Sequence, residues 1–233
     1  AYHAIDVFAD DILRASAYAE DLRARPVTDA DGDQRLHAWL ADPSTTVPMR
    51  LAKPAEGDGS IAHLSAVARI IRAGPSFFQA SKPHGQTRRD AVARLVAAGR
   101  CHPGLLPELA TVTRPDGTRG PWHDNLGPRQ VAIEQVMLRN ACFVFTAALS
   151  MMRESELRAI TKDALVDYYG SPAVRSVRQK LDPDLPTKHW WITPPVARAI
   201  ELASRLSRHE KLTFASVTGT WSGEGFASIA AIV

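Results

Sequence analysis

The chain has 233 residues, of which 45% are hydrophobic and 23% charged, a composition typical of globular proteins that excludes a disordered or fibrous chain. Two cysteines are too few for a disulfide framework, so a reducing cytoplasm is expected. The net charge of +3 permits nucleic-acid binding without requiring it.

The first part of the chain, residues 1–127, is predicted to be a helical region that ends in a linker. Apolar side chains in residues 4–24 recur at three- and four-residue steps, which predicts an amphipathic helix. Residues 101–128 contain several Pro and Gly and are predicted to be irregular, so we place a domain boundary there. Further helices are predicted over residues 35–40, from an N-cap at Ser60 to Arg72, and over residues 87–98 with Gly99 as the C-terminal cap.

The second part, residues 128–233, begins with a long helix from Pro128 to about Met151 that is predicted to be largely buried. The fold class is predicted to be mainly α with a small antiparallel β element. Apolar stretches are shorter than about 20 residues, so no membrane span is expected. The later predicted elements are a helix over 153–160, strands over 165–169 and 188–193 on either side of a Pro-rich bend, a helix over 194–208 and a truncated helix in the tail, 212–233.

Positive charge concentrates late in the chain. Residues 171–211 contain eight Lys and Arg against four acidic residues, whereas residues 1–35 contain eight acidic residues against four Arg. A polyanion would therefore meet the C-terminal part first.

The segment ALSMMRESELRAIT, Ala148 to Thr161, lies between the long helix and the first of these strands. It resembles the first catalytic box of tyrosine-type site-specific recombinases, the phage-integrase family, which has Thr-Gly-Leu-Arg or a similar run followed by x-x-Glu-Leu. Arg153, Glu156 and Leu157 match that box. Met151 stands where the family prefers glycine, and this departure leaves the sharpness of the turn open. Without the resemblance, Arg153 and Glu156 would be interpreted as a solvated pair at a helix start.

The resemblance implies that residues 128–233 form the first part of a DNA breaking-rejoining catalytic domain. It also suggests that the helix in residues 1–22 opens this domain, which would make residues 23–127 an insertion or a linker. In such a domain Arg153 would hold the non-bridging phosphate oxygens, and Glu156 would orient a neighbour or brace the fold. A hairpin lysine would protonate the leaving 5′ oxygen, and Lys180 is preferred for this role over Lys188. The expected DNA contacts are Arg175, Arg178 and Lys188.

The family also implies double-stranded DNA as the partner, a homo-tetramer on that DNA, and a cytoplasmic, nucleoid-associated location, with neither cofactor nor metal. Its second box, His-x-x-Arg, and its nucleophilic tyrosine are expected after Val233, since no tyrosine follows Tyr169. The chain alone is therefore expected to be inactive. Two alternatives are a non-catalytic DNA-binding or assembly remnant of a recombinase, and a helical interaction domain unrelated to DNA.

Other candidate sites are weaker. The residues Cys101, His102, His84, His123 and His209 lack the spacing of metal ligands, so no metal site is expected. Cys142 is predicted to be inert packing, and Tyr168 and Tyr169 to be ordinary sheet residues. Alternation along the strand predicts that one ring of the Trp190-Trp191 pair is buried and that the other is free to stack on a base or sugar.

Overall fold

The computed structural model describes residues 4–53, 56, 59–177, 187–207 and 209–214. About 47% of these residues are helical and small antiparallel sheets accompany the helices, so the fold class is mixed α/β. The chain divides into two compact units. We call Asp10–Glu134 the N-terminal unit, and Gln135–Val233 together with Ala1–Ala9 the C-terminal unit.

The helices of the N-terminal unit have nearly the predicted bounds, except that the first residue of one helix was predicted wrongly. The predicted cap Gly99 follows its helix with a φ of +73°, a left-handed conformation that glycine adopts without steric cost. Ser60 is not a helix cap, because it belongs to a strand and the helix begins four residues later. After a π-helical turn at Ala4–Phe8, the helices are α1 (Ala9–Ala24), α2 (Gly32–Ala41), α3 (Leu64–Ile70) and α4 (Gly85–Ala97).

Short strands complete the N-terminal unit. A central strand, β1, pairs antiparallel with β2 and parallel with β3, and β4 and β5 form a separate antiparallel pair. The prediction that residues 101–128 are irregular is therefore wrong in part: backbone pairing, which side-chain periodicity does not reveal over three residues, makes these strands. Their bounds are β1 Val47–Leu51, β2 Ser60–Ala62, β3 Cys101–Pro103, β4 Thr111–Thr113 and β5 Arg119–Pro121.

One buried carboxylate ties α1 to the segment around the β4–β5 pair. Asp11 accepts hydrogen bonds from the backbone N–H of Ala110 at 2.6 Å and from the indole N–H of Trp122 at 2.8 Å, and it pairs with Arg14. Burial alone would raise its pKa, but these hydrogen bonds together lower the pKa below the usual value. Asp11 therefore links segments that are about 100 residues apart in sequence.

Helix α5 (Pro128–Ser150) has the predicted bounds but not the predicted burial. Val136, Met137 and Val144, which were expected inside, are 44–52% exposed. Leu138 and Cys142 are buried, so the helix has one packed side and one apolar, exposed side. The prediction of a largely buried helix is wrong because a helix that is apolar nearly all round gives no sign of which side has a partner.

By length and composition α5 could also cross a membrane, with a mean hydropathy of 1.2 over its most apolar 18 residues, of which 22% are buried. One such helix indicates a membrane protein only weakly, since core helices pass the same test.

The remaining described elements of the C-terminal unit are two helices and a three-stranded sheet. The antiparallel sheet has the order β6-β7-β8, and its middle strand was not predicted as a strand. The β6–β7 hairpin turns through Tyr169 and Gly170, both at positive φ, as a two-residue hairpin turn requires. The bounds are α6 Glu154–Arg158, β6 Leu165–Tyr168, β7 Ser171–Val177, β8 Thr187–Trp191 and α7 Pro194–Leu206, while the predicted tail helix lies largely outside the described residues.

Candidate functional site

The turn between α5 and α6 keeps the shape that glycine favours although it contains none. Met151 has a φ of +57°, in the left-handed region, and its side chain is 89% exposed. Ser150 supports the turn, because its hydroxyl accepts the backbone N–H of Met152 at 3.3 Å. The turn is therefore sharp without a glycine, at a conformational cost of about 1 kcal/mol for an L-residue.

Glu156 fixes the backbone of Arg153 at the start of α6. Its side chain is 6% exposed, and its Oε2 accepts the backbone N–H of Arg153 at 2.7 Å. A glutamate at the third helical position that bonds back to the N-cap residue is one half of a capping box. Glu156 thus braces the fold, as expected, and is not simply solvated.

The backbone of Arg153 is fixed by Glu156, whereas its guanidinium is exposed to solvent. Arg153 itself is exposed, and no ion pair with another described residue engages it. Guanidinium stays protonated at any working pH and offers a planar fork of N–H donors that matches two oxygens of a phosphate or carboxylate. The site therefore presents a cation to solvent from a fixed backbone position, and its chemistry suits an oxyanion.

Lys188 belongs to the sheet face that lies against α6. The hydroxyl of Ser176 on β7 donates to the backbone carbonyl of Glu156 at 2.7 Å, so this sheet face lies against α6. Ser176 and Lys188 are register partners, and side chains of such partners lie on one face about 5 Å apart at Cβ. Lys188 is exposed and makes no ion pair with a described residue, so it is a second open cation on this face of the sheet.

The other predicted basic residues do not join this pair among the described residues. Arg175 is one position from Ser176 and faces the other side of the sheet, where it pairs with Asp163 at 3.2 Å. Lys180 and Arg178 lie outside the described residues. Of the predicted site residues, Lys188 therefore shares the sheet face that lies against α6, the helix that Arg153 precedes, and Arg175 lies on the opposite face.

An aromatic cluster on the Arg175 side of the sheet was only partly foreseen. The rings of Tyr168 and His189 stack with centroids 4.2 Å apart and an interplanar angle of 4°, and Trp191 lies 5.7 Å from Tyr168. Trp191 is 65% exposed and Trp190 is half-buried, so the two rings alternate in exposure as predicted, but neither is buried in the core. The two-residue spacing of His189 and Trp191 was the signal for a shared face.

Tyr169 is not a sheet residue, which corrects the prediction. It lies in the hairpin turn with a φ of +53°, and its ring packs at 4.5 Å from that of Tyr168. Gly170 is the second residue of this two-residue turn. Because Tyr169 lies at the tip of the hairpin, its side chain is strongly exposed.

In the described part of the chain the thiol and imidazole groups do not form a cluster that could hold a metal ion. Burial raises the pKa of the Cys142 thiol to about 12, so it stays protonated and packs as an apolar group, as predicted. The Nδ1 atoms of His63 and His102 are buried without a hydrogen-bond partner among the described residues, and burial lowers the pKa of both rings.

Arg153, Glu156 and Lys188 are the described residues of the candidate site, and the resemblance to recombinases rests on Arg153, Glu156 and Leu157. Comparisons with protein-family models, with curated proteins and with solved structures found no match for the chain.

Proposed function

We propose that the chain is part of a tyrosine-type site-specific recombinase, which cuts and rejoins DNA through a phosphotyrosyl intermediate. In this proposal the C-terminal unit is the first part of the catalytic domain. The observation that carries the proposal is the state of Arg153: its backbone is held by the buried Glu156, and its guanidinium is exposed and without an ion pair among the described residues.

Arg153 would act on the charge of the transition state. A tyrosine oxygen attacks the scissile phosphorus, a new phosphorus–oxygen bond to tyrosine forms, and the bond to the 5′ oxygen breaks. Negative charge grows on the non-bridging oxygens during this step, and a fixed guanidinium fork stabilises it. Removing one such donor typically costs about 100- to 1,000-fold in rate.

A hairpin lysine would supply the proton that the leaving 5′ oxygen needs. In the rejoining step the 5′ hydroxyl attacks phosphorus, tyrosine leaves, and the lysine takes the proton back. Lys180 is preferred for this role and lies outside the described residues, and Lys188 is the alternative that the structure describes. The tyrosine link conserves the energy of the broken phosphodiester, so the proposed reaction consumes neither nucleotide nor metal.

The proposed function also implies a DNA substrate and an oligomeric assembly. The substrate is double-stranded DNA, contacted by Lys188 and, through the hairpin, by Arg175 and Arg178. The acting assembly is a tetramer on DNA at the nucleoid, with two protomers active at a time and a tyrosine encoded beyond Val233. The alternative function of the same site is DNA binding without cleavage.

DNA binding can be measured on the chain as it is, with a fluorescein-labelled duplex and salt titration. We expect Arg153→Ala with Lys188→Ala to lower affinity by about 10-fold and to reduce the slope of log affinity against log salt by about 2, because two phosphate contacts are lost.

The matched control is Lys82→Ala with Arg119→Ala, which removes the same two charge types from exposed positions of the N-terminal unit. It is expected to leave affinity within about twofold. An equal loss in both double variants, or a chain that binds no duplex, contradicts the proposed function.

Cleavage separates the recombinase from the binding remnant. In the polypeptide read past Val233, Arg153→Ala is expected to lower cleavage of a suicide substrate by about 100-fold or more while its affinity for DNA changes far less. Arg153→Lys should recover part of the binding and little of the cleavage, because an ammonium lacks the paired donors. Undiminished cleavage by Arg153→Ala would remove this residue from the mechanism.

A further inference from the structure

The aromatic cluster on the Arg175 side of the β6-β7-β8 sheet reaches across the central strand. Tyr168 and His189 belong to the two outer strands, yet their rings stack nearly parallel with centroids 4.2 Å apart. The rings can meet because the residues of β7 on this face near them, Ser171 and Ala173, are small. Side chains of both outer strands therefore form one aromatic surface.

Trp191 turns the carbon surface of its ring toward solvent. Its indole N–H donates to the backbone carbonyl of Tyr168 at 3.4 Å, a long hydrogen bond that directs the polar edge of the ring toward the protein. The part of the ring that remains exposed is therefore mainly apolar.

Tyr169 extends this surface at the tip of the hairpin. Its ring lies 4.5 Å from that of Tyr168, and its side chain is strongly exposed. A single exposed apolar side chain is common on any protein, but several contiguous exposed rings indicate an interaction site.

The charge of this sheet face is positive. Among the described strand residues of the face, Arg175 is the only Lys, Arg, Asp or Glu, since Asp167 lies on the opposite face. The acidic neighbour of Arg175 is Asp163, which precedes β6 and pairs with it at 3.2 Å. Both side chains are exposed, and an exposed ion pair is weak enough for a phosphate to replace the carboxylate.

Exposed rings beside a cation match the chemistry of unpaired nucleotides. The flat faces of bases stack on aromatic side chains regardless of sequence, while the phosphates meet basic residues. In a duplex these faces are covered by the neighbouring base pairs, so a duplex cannot use such a surface. A proline-rich peptide, another ligand of exposed aromatic rings, has no negative charge for Arg175 to meet.

We propose that this face binds single-stranded DNA, with bases stacked on Trp191 and Tyr169 and a phosphate against Arg175. That the strand is DNA rests on the proposed function, because cutting one strand of a duplex frees an end that leaves its old partner before it is rejoined. The face lies opposite Lys188, so the two sides of one sheet would meet unpaired and paired DNA.

The test is the binding of the whole chain to a fluorescein-labelled strand of about 12 thymidines, with salt titration. We expect Trp191→Ala to lower affinity by about 10-fold without changing the slope of log affinity against log salt, because a stacking contact carries no charge. Arg175→Gln should instead reduce that slope by about 0.7, the value for one phosphate contact to a single strand. The two readouts separate stacking from charge.

Three controls accompany these variants. Leu51→Ala removes an exposed apolar side chain from a strand of the N-terminal unit and should leave affinity within about twofold. Trp191→Phe keeps a ring and should recover part of the affinity that Trp191→Ala loses. A strand with abasic sugars keeps the phosphates but has no bases, so Trp191→Ala should not change its affinity.

Photochemical cross-linking locates the strand. A strand that carries iodouracil in place of thymine forms a covalent bond with an aromatic ring on which the base is stacked. Mass spectrometry should find this bond on Trp191 or Tyr169. Cross-links confined to other residues, or unchanged affinity in Trp191→Ala, would overturn the proposal.

Other ligands give distinct outcomes. Trp191-dependent binding of a polyproline peptide without binding of the strand would assign the face to a peptide, and about 10-fold tighter binding of oligouridine would assign it to RNA; either result overturns the proposal. A chain that binds duplex but no single strand also overturns it and leaves the proposed function intact. A chain that binds the strand through Trp191 but no duplex supports it and contradicts the proposed function alone.

Discussion

Two buried carboxylates, one in each unit, show how the same chemistry gives different results. In the N-terminal unit Asp11 pairs with its neighbouring arginine, Arg14, and also accepts donors about 100 residues away. In the C-terminal unit Glu156 bonds to the backbone of Arg153, three residues away, and leaves the guanidinium exposed. The first carboxylate joins distant segments, and the second positions a cation. Sequence separation of the partners therefore distinguishes a packing role from a positioning role.

The largest expected effect comes from neutralising each carboxylate without changing its shape. Asp11→Asn should lower the free energy of unfolding by about 2–3 kcal/mol, because one of its buried donors loses an acceptor and Arg14 loses its ion pair. Glu156→Gln should cost less than about 1 kcal/mol, because glutamine can accept the same backbone N–H in a capping box. Urea unfolding measures both values.

The control for that pair is Asp21→Asn, which removes an exposed carboxylate that pairs with Arg25. It should change the free energy of unfolding by less than about 0.5 kcal/mol. If Glu156→Gln costs as much as Asp11→Asn, the distinction between a packing and a positioning carboxylate fails.

A smaller effect is expected on mild acidification, and it should originate in the N-terminal unit. Burial lowers the pKa of His63, with a minor contribution from Arg50, and burial lowers that of His102 against two backbone hydrogen bonds. The unfolded chain therefore takes up these protons first, and stability falls as the pH drops from about 6.5 toward the folded pKa values. The urea midpoint should decrease between about pH 7 and about pH 5, and His63→Gln with His102→Gln should flatten that decrease.

The smallest expected effect is a gain at the site turn. Met151→Gly should raise the free energy of unfolding by up to about 1 kcal/mol, because glycine adopts positive φ freely and the exposed methionine side chain makes little packing. The converse change, Gly99→Ala at a φ of +73° in open space, should lower it by about as much. A loss of stability in Met151→Gly would show that the methionine side chain contributes more than its exposure indicates.

Much of the fold follows from sequence where a helix has clear ends. Pro128 and the apolar run after it define α5, and Gly99 defines the end of α4. The strand β7 could not be recognised, because Pro172 and two serines dilute its pattern. Burial of Val174 comes from pairing with strands on both sides and from packing on one face, which only the assembled sheet provides.

The site was predictable to the extent that it is local. Arg153 and Glu156 are three residues apart, so one motif contains both the cation and its brace. Lys188 depends on register, since a slip of one residue would move it to the opposite face from Ser176, and sequence does not set that register. For the same reason, the sequence analysis grouped Arg175 and Lys188 by charge although the two residues lie on opposite faces of the sheet.

The exposed indole of Trp191 allows ligand binding to the sheet to be followed by intrinsic tryptophan fluorescence. Trp190, on the opposite face, is half-buried, so iodide quenches the fluorescence of the two indoles unequally. A molecule that covers the Tyr168 side shields Trp191 from iodide, whereas one that occupies the Lys188 side alters the emission of Trp190. The fluorescence of Trp190→Phe and Trp191→Phe variants would therefore show, without an added label, which face of the sheet a ligand binds.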